Sequence, residues 1–149
     1  DMYSAGFWIG ENDSNEASIE LFYQFTGVEG LTLTGVYAND PGYETFNFWA
    51  SYEIDAFTFA AEYTNTDMEA SETTDDEVYM LLAYYAMGDA GLTLRFSTGE
   101  DTGTDFDRFT ISPSYAFSDN VFGLLEYTLE DVDGQDEETQ LAAELIFSF

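Results

Sequence analysis

The chain has 149 residues and carries 2 Lys+Arg against 31 Asp+Glu, a formal net charge of −29, with neither Cys nor His. Those two absences exclude disulfides, thiolate and imidazole metal ligands, cysteine nucleophiles and every Ser-His or Asp-His catalytic arrangement. So little Lys and Arg also excludes nucleic acid, whose binding requires a cationic face that releases counterions, and leaves divalent or organic cations as better-matched partners.

The length suits one domain spanning residues 1–149. No run reaches the roughly 18 apolar residues that a membrane helix needs, and no targeting peptide is read at Asp1. What recurs is alternation with a period of two. The first segment is 2–9 (MYSAGFWI), followed by the polar link ENDSNEA (11–17), the segment 18–26 and the tight turn GVEG (27–30). Segments 31–38 and 45–54 flank NDPGYE (39–44), and 57–65 follows a short turn at 54–56. The acidic link 66–76 leads to 77–87 (EVYMLLAYYAM), the turn GDAG (88–91) and 92–98. After the link 99–107 come 108–117, the turn SDN (118–120), 121–130, the link DVDGQDEE (131–138) and finally 141–149 (LAAELIFSF). Val, Thr, Tyr and Phe dominate these ten segments, and helical spacing fits none of them, so each is predicted to be a strand. Pro113 inside one of them predicts a local bulge or distortion. The peptides GLTL at 30–33 and 91–94, and AEYT at 61–64 with LEYT at 125–128, suggest one recurring hairpin unit.

Short turns at one end and long acidic loops at the other describe an up-and-down antiparallel meander. Its two faces differ. One parity collects Leu33, Phe48, Phe59, Leu82, Ile111 and Leu125 with their alternate neighbours, none charged. The other collects Thr, Ser, Glu and Gln together with Arg95 and Arg108, the chain's two basic residues. A soluble acidic β-sandwich would alternate in the same way. Two features favour a transmembrane β-barrel of about ten visible strands. Aromatic residues fall near both ends of the apolar face: Tyr37, Tyr63, Phe109 and Tyr127 toward the long loops, and Phe25, Tyr52, Phe57, Tyr84, Tyr115, Phe117 and Phe149 toward the short turns. Such girdles are what a bilayer selects. The polar face also lacks Lys, which soluble strands use to guard their edges.

The ending LAAELIFSF, with Leu141, Ala143, Leu145, Phe147 and Phe149 at alternate positions, resembles the C-terminal signature strand of bacterial outer-membrane β-barrel proteins. In those families the strand is read by the barrel-assembly machinery. The chain as a whole resembles porin-like proteins, in particular the TorF-type porins, through its opening YSAGFWIG, the hairpin that follows and the loop containing Pro41-Gly42. The resemblance implies a Gram-negative outer membrane, contact with membrane lipids and lipopolysaccharide, passage of small solutes or cations, and no cofactor; a homo-oligomer is compatible with it. The visible strands are either a mature ten-stranded barrel or the C-terminal part of one with about 12 to 16 strands.

On the polar face, Arg95 and Arg108 are expected to meet Glu20, Glu62, Glu126, Glu130 and Glu144. Segregated on two walls, these charges would make a constriction that sorts solutes, as in the porins the chain resembles. Paired, they would plug a narrow lumen, since about eight strands are already filled by side chains. Phe22, Trp49, Tyr79, Leu81, Phe122 and Ile146, assigned to the inward parity, add volume to such a plug. The function expected is a passive channel for small hydrophilic solutes with a preference for cations; the alternative is a closed barrel acting through its acidic outer loops. Asp131, Asp133, Asp136 and Glu138 could offer oxygen ligands to Ca²⁺, but they lack the order of an EF-hand loop, and a solvated loop is the favoured reading. Catalysis is not expected: glutamates four apart on a strand, such as Glu126 and Glu130, lie about 13 Å apart, too far for glycosidase chemistry.

Deleting Phe149, or replacing it by alanine, is expected to lower the amount of barrel assembled in cells, read as heat-modifiable migration in outer-membrane fractions. Undiminished assembly under limiting conditions would count against the signal.

Overall fold

The computed structural model describes residues 2–11, 16–68 and 75–148. Ten strands follow one another: β1 (Tyr3–Glu11), β2 (Ala17–Val28), β3 (Leu31–Asp40), β4 (Tyr43–Ile54), β5 (Phe57–Met68), β6 (Asp75–Met87), β7 (Ala90–Asp101), β8 (Thr104–Ser118), β9 (Val121–Val132) and β10 (Glu138–Phe147). They form one antiparallel sheet in which each strand pairs only with its neighbours in sequence. Among the described residues no pairing joins β1 to β10, so the sheet is open. Phe149, the last residue of the expected signature strand, lies outside the described residues.

Tight turns set the register. Met87 pairs with Ala90 across Gly88-Asp89, and Ile54 with Phe57 across Asp55-Ala56. Both turns carry the left-handed backbone that two-residue hairpins demand, at Gly88 (φ 66°) and Asp55 (φ 53°). Two links expected to be long are equally tight. β3 and β4 pair as far as Asp40 and Tyr43, and β7 and β8 as far as Asp101 and Thr104, leaving only 41–42 and 102–103 as turns. Thr102 (φ 50°) and Gly103 (φ 78°) are both left-handed. The polar composition of 39–44 and 99–107 marks where strands leave the apolar zone; pairing continues beyond that point. The expectation at Pro113 is met by a local distortion, a gap in the β8–β9 pairing at 112–113. The sheet runs through Pro113 without a bulge, with Leu92 opposite it on β7 and the β8–β9 register the same at Ile111 and Ser114. The missing N–H of proline costs a rung and leaves the residue count unchanged. The register slips instead at Ala116/Ser118 and at Phe25/Val28.

Because directly opposed residues share a face, the register carries one parity across the whole sheet. Leu33, Ala50, Ala61, Leu81, Phe96, Phe109 and Leu129 stand in one row across seven strands. The expected apolar face is therefore present on nine strands, but β6 is reversed. Val78, Met80, Leu82 and Tyr84 stand on the polar face beside Thr64, Glu62, Ala60 and Thr58, while Tyr79, Leu81, Ala83 and Tyr85 stand on the apolar face. Leu81 is 60% exposed on that face. Segment 77–87 is apolar at both parities, so alternation could not orient it; the turn at Gly88-Asp89 does, by pairing Leu82 with Arg95.

Burial is the inverse of that in a water-soluble domain. Among the described residues the one buried apolar side chain is Ala60, whereas Ser18, Ser97, Thr110, Ser112 and Thr128 are buried. Large apolar residues such as Phe59, Leu125 and Leu145 remain exposed. A bilayer solvates that outer surface. The sequence repeats occupy matching places: Leu31 and Leu33 begin β3 on the outer face as Leu92 and Leu94 begin β7, and Glu62 of β5 faces inward as Glu126 of β9 does. Each repeat lies four strands from its copy.

Leu81→Arg is expected to weaken folding into lipid vesicles by about 2–4 kcal/mol, as arginine does at the middle of a lipid face. Leu82→Arg should cost much less. Urea titration of both variants measures the difference, and equal losses would refute the orientation of β6.

Candidate functional site

The inner face of β7, β8 and β9 carries a compact polar wall. Arg108 stands opposite Glu130, and its guanidinium donates a 2.6 Å hydrogen bond to Glu130 Oε1. The Phe106 ring lies 5.3 Å from the same guanidinium carbon. One rung along, the hydroxyls of Thr110 and Thr128 are hydrogen-bonded at 3.1 Å, and Thr110 is 2% exposed. Arg95 stands on the same rung, directly opposite Thr110, and reaches over β8 to Glu126 on β9, at 3.6 Å. Each of the two cations thus meets a glutamate of β9, on either side of the hydroxyl pair along that strand. Interleaving suits two arginines held on neighbouring strands, where unpaired like charges would repel.

Both arginines are therefore paired with glutamates of their own wall. Glu62 lies elsewhere, on β5 between Trp49 of β4 and Met80 of β6. Asn47 holds it, donating from Nδ2 to Glu62 Oε1 at 2.7 Å and to Thr64 Oγ1 at 2.8 Å. Glu20, opposite Trp8 and Ala38, and Glu144, opposite Leu124, share the inner face. Glu138 faces inward too, directly opposite Glu130. Tyr79 and Leu81, expected among the space-filling inward residues, are on the lipid side; Phe22, Trp49, Phe122 and Ile146 share the inward parity with Glu20, Glu62 and Glu144.

The outer face gathers its aromatic residues into clusters. Near the acidic rim, Tyr63 lies 5.0 Å from Tyr79 and 6.3 Å from Phe46 between ring centroids, and both tyrosine hydroxyls donate to Glu77 Oε1, at 2.9 and 2.8 Å. At the other end, Phe57 stacks on Tyr85 at 4.6 Å and Tyr115 meets Phe117 edge-on at 5.1 Å. Tyr37, Tyr52 and Tyr127 share this outer parity. Tyr84 does not belong to the girdle. Its ring covers Gly91 from the inner side, where an added Cβ would lie 2.6 Å from the ring and 2.8 Å from Ser114 Oγ. Tyr85 stands on the lipid side in its place.

The acidic loop does not assemble a metal centre: among the described residues no three acidic side chains come close enough to hold an ion. Asp131 pairs with Asp107 across β8 and β9, while Glu138 is drawn into β10, so Asp131, Asp133, Asp136 and Glu138 do not converge. Sequence reasoning missed Asn47, Thr110, Thr128 and Phe106 because none is ionisable. Their signal was positional: Thr110, Thr128 and Phe106 lie on the inward parity two residues from a charge, and Asn47 lies two residues from Trp49, which stands directly opposite Glu62.

A family model described as Gram-negative porin matches residues 7–135. The chain is 27% identical over 146 residues to outer membrane protein U of Vibrio parahaemolyticus, a match covering 89% of the chain and 43% of that protein. Its fold is similar to that of the outer-membrane-expressed OmpT of Vibrio cholerae, with a TM-score of 0.59 and 14% identity over 85% of the chain and 47% of the neighbour. The chain thus spans less than half the length of either.

Thr110→Val is expected to destabilise the folded sheet by about 1–3 kcal/mol, because Thr128 keeps a buried hydroxyl without its partner. The double variant Thr110→Val/Thr128→Val should recover most of that loss. A double-mutant cycle in urea checks the coupling, and strictly additive losses would refute it.

Proposed function

The chain belongs to the Gram-negative porin family and is placed in the outer membrane, and from that premise we propose that its sheet walls a passive diffusion channel for small hydrophilic solutes that prefers cations. One observation carries the charge preference. Arg95 and Arg108 are each compensated by a glutamate of the same wall, so of the five glutamates expected on the inner face Glu20, Glu62 and Glu144 remain without an arginine partner, and Glu138 adds a further inward charge. Fixed carboxylates raise the local concentration of cations and lower their entry barrier. The width of the lumen is supported by the open sheet: ten strands that do not close on one another fit a wider ring than the side-chain-filled barrels of about eight strands.

On this reading the outer face contacts lipid and lipopolysaccharide, β10 is the strand read by the assembly machinery, and any further copies of the chain would meet on the lipid side. The family is one of channels, so the inward glutamates act as fixed charges and not as acid-base catalysts. A closed barrel working through its acidic rim is the competing outcome.

The test is the reversal potential of purified protein in a planar bilayer under a KCl gradient. Cation selectivity is expected, weakening as salt rises because the Debye length falls from about 10 Å at 0.1 M to about 3 Å at 1 M. Glu62→Gln should reduce the selectivity. Glu126→Gln should reduce it further by freeing the charge of Arg95, and Arg95→Gln should increase it. Anion selectivity of the unmutated protein would refute the field argument, and absence of conductance would favour the closed barrel.

A further inference from the structure

On the inner face, Trp49, Glu62 and Met80 stand side by side on β4, β5 and β6, directly opposed in register. Directly opposed pairs hold their Cβ atoms about 4.5–5.5 Å apart, so an indole and a thioether flank one carboxylate. Next along the inner face come Ser51, Ala60 and Leu82. Trp49, Glu62 and Met80 are all half-buried, so the three side chains are partly accessible from the lumen side. Among the described residues the Glu62 carboxylate makes no ion pair with either arginine, and its hydrogen bond from Asn47 Nδ2 is taken at Oε1. Arg95, the nearest candidate to neutralise it, is drawn the other way, over β8 to Glu126.

A hydrated metal ion gains little from an indole or a thioether. An organic cation gains from every member of the set: the carboxylate supplies the charge, the indole face attracts the cation through its quadrupole, and Met80 and Leu82 accept its alkyl groups. We propose that Trp49, Glu62 and Met80 form a binding subsite for small organic ammonium ions, including quaternary ones, on the lumen wall. This inference deepens the channel reading by naming a solute class, and it rests on that reading only for the solute's route, not for binding.

Choline is the probe, and two readouts separate the two claims. Trp8 and Trp49 are the two tryptophans of the 149-residue chain, so in its Trp8→Phe variant in detergent the emission reports Trp49 alone and needs no conduction. Saturable quenching by choline chloride is expected at constant ionic strength, with no saturation for neohexanol, its uncharged carbon isostere. Adding Glu62→Gln should raise the half-saturating concentration roughly two- to fivefold, the scale of an exposed ion pair or cation–π contact. In a planar bilayer, choline should reduce K⁺ current, and Trp49→Leu should relieve that block by a similar factor. Saturation by neohexanol, or choline saturation that Glu62→Gln leaves unmoved, would overturn the subsite; the neohexanol comparison uses an intact site and so holds even where a site variant fails to fold. Saturable choline binding without any conductance would support the subsite and sink the channel.

Discussion

In hydrocarbon a backbone N–H or C=O has no water to turn to, so each must be met by another strand. That requirement makes the pairing register the governing quantity of this molecule. Once Met87 is set opposite Ala90 and Ile54 opposite Phe57, every side chain between is assigned to lipid or lumen, because directly opposed residues share a face. The polar wall, the aromatic clusters and the Trp49–Glu62–Met80 row are consequences of that assignment.

The consequences were unequally legible in the sequence. Where only one parity is apolar, as in 45–54 or 108–117, alternation identifies both the strand and its outer face. Segment 77–87 offers apolar residues at both parities, and the information that orients it sits outside the strand, in the two-residue turn Gly88-Asp89. Such a turn pairs an odd-numbered residue with an even-numbered one, so Arg95 must share a face with Leu82. The extents of the strands were similarly hidden. Charge at 99–107 reports where lipid ends, while the left-handed pair Thr102-Gly103 reports where the chain reverses, and these are different places. At the site, residue types announced the arginines and glutamates but not their partners. That Arg108 would take Glu130 and Arg95 would take Glu126 depends on which rung each occupies.

The inner wall shows how a polar surface can be as specific as a packed apolar core. Thr110 and Thr128 are nearly sealed from solvent, and their hydroxyls are hydrogen-bonded to each other. A hydrocarbon core tolerates exchange of one aliphatic residue for another of similar volume. A hydrogen-bonded rung does not, since changing one member leaves the other unsatisfied. Variation among descendants of this chain should accordingly be paired along the β7–β9 wall and independent across the lipid face.

Each strand touches only its neighbours in sequence, and the GLTL and A/L-EYT segments recur four strands apart with their inward and outward residues preserved. A sheet wired this way is modular in the genetic sense. Inserting or losing a pair of hairpins changes its circumference without altering any pairing other than the one at the join. The two copies of the repeat keep different company: Glu126 of β9 meets an arginine, while its counterpart Glu62 in β5 has an amide and an indole beside it.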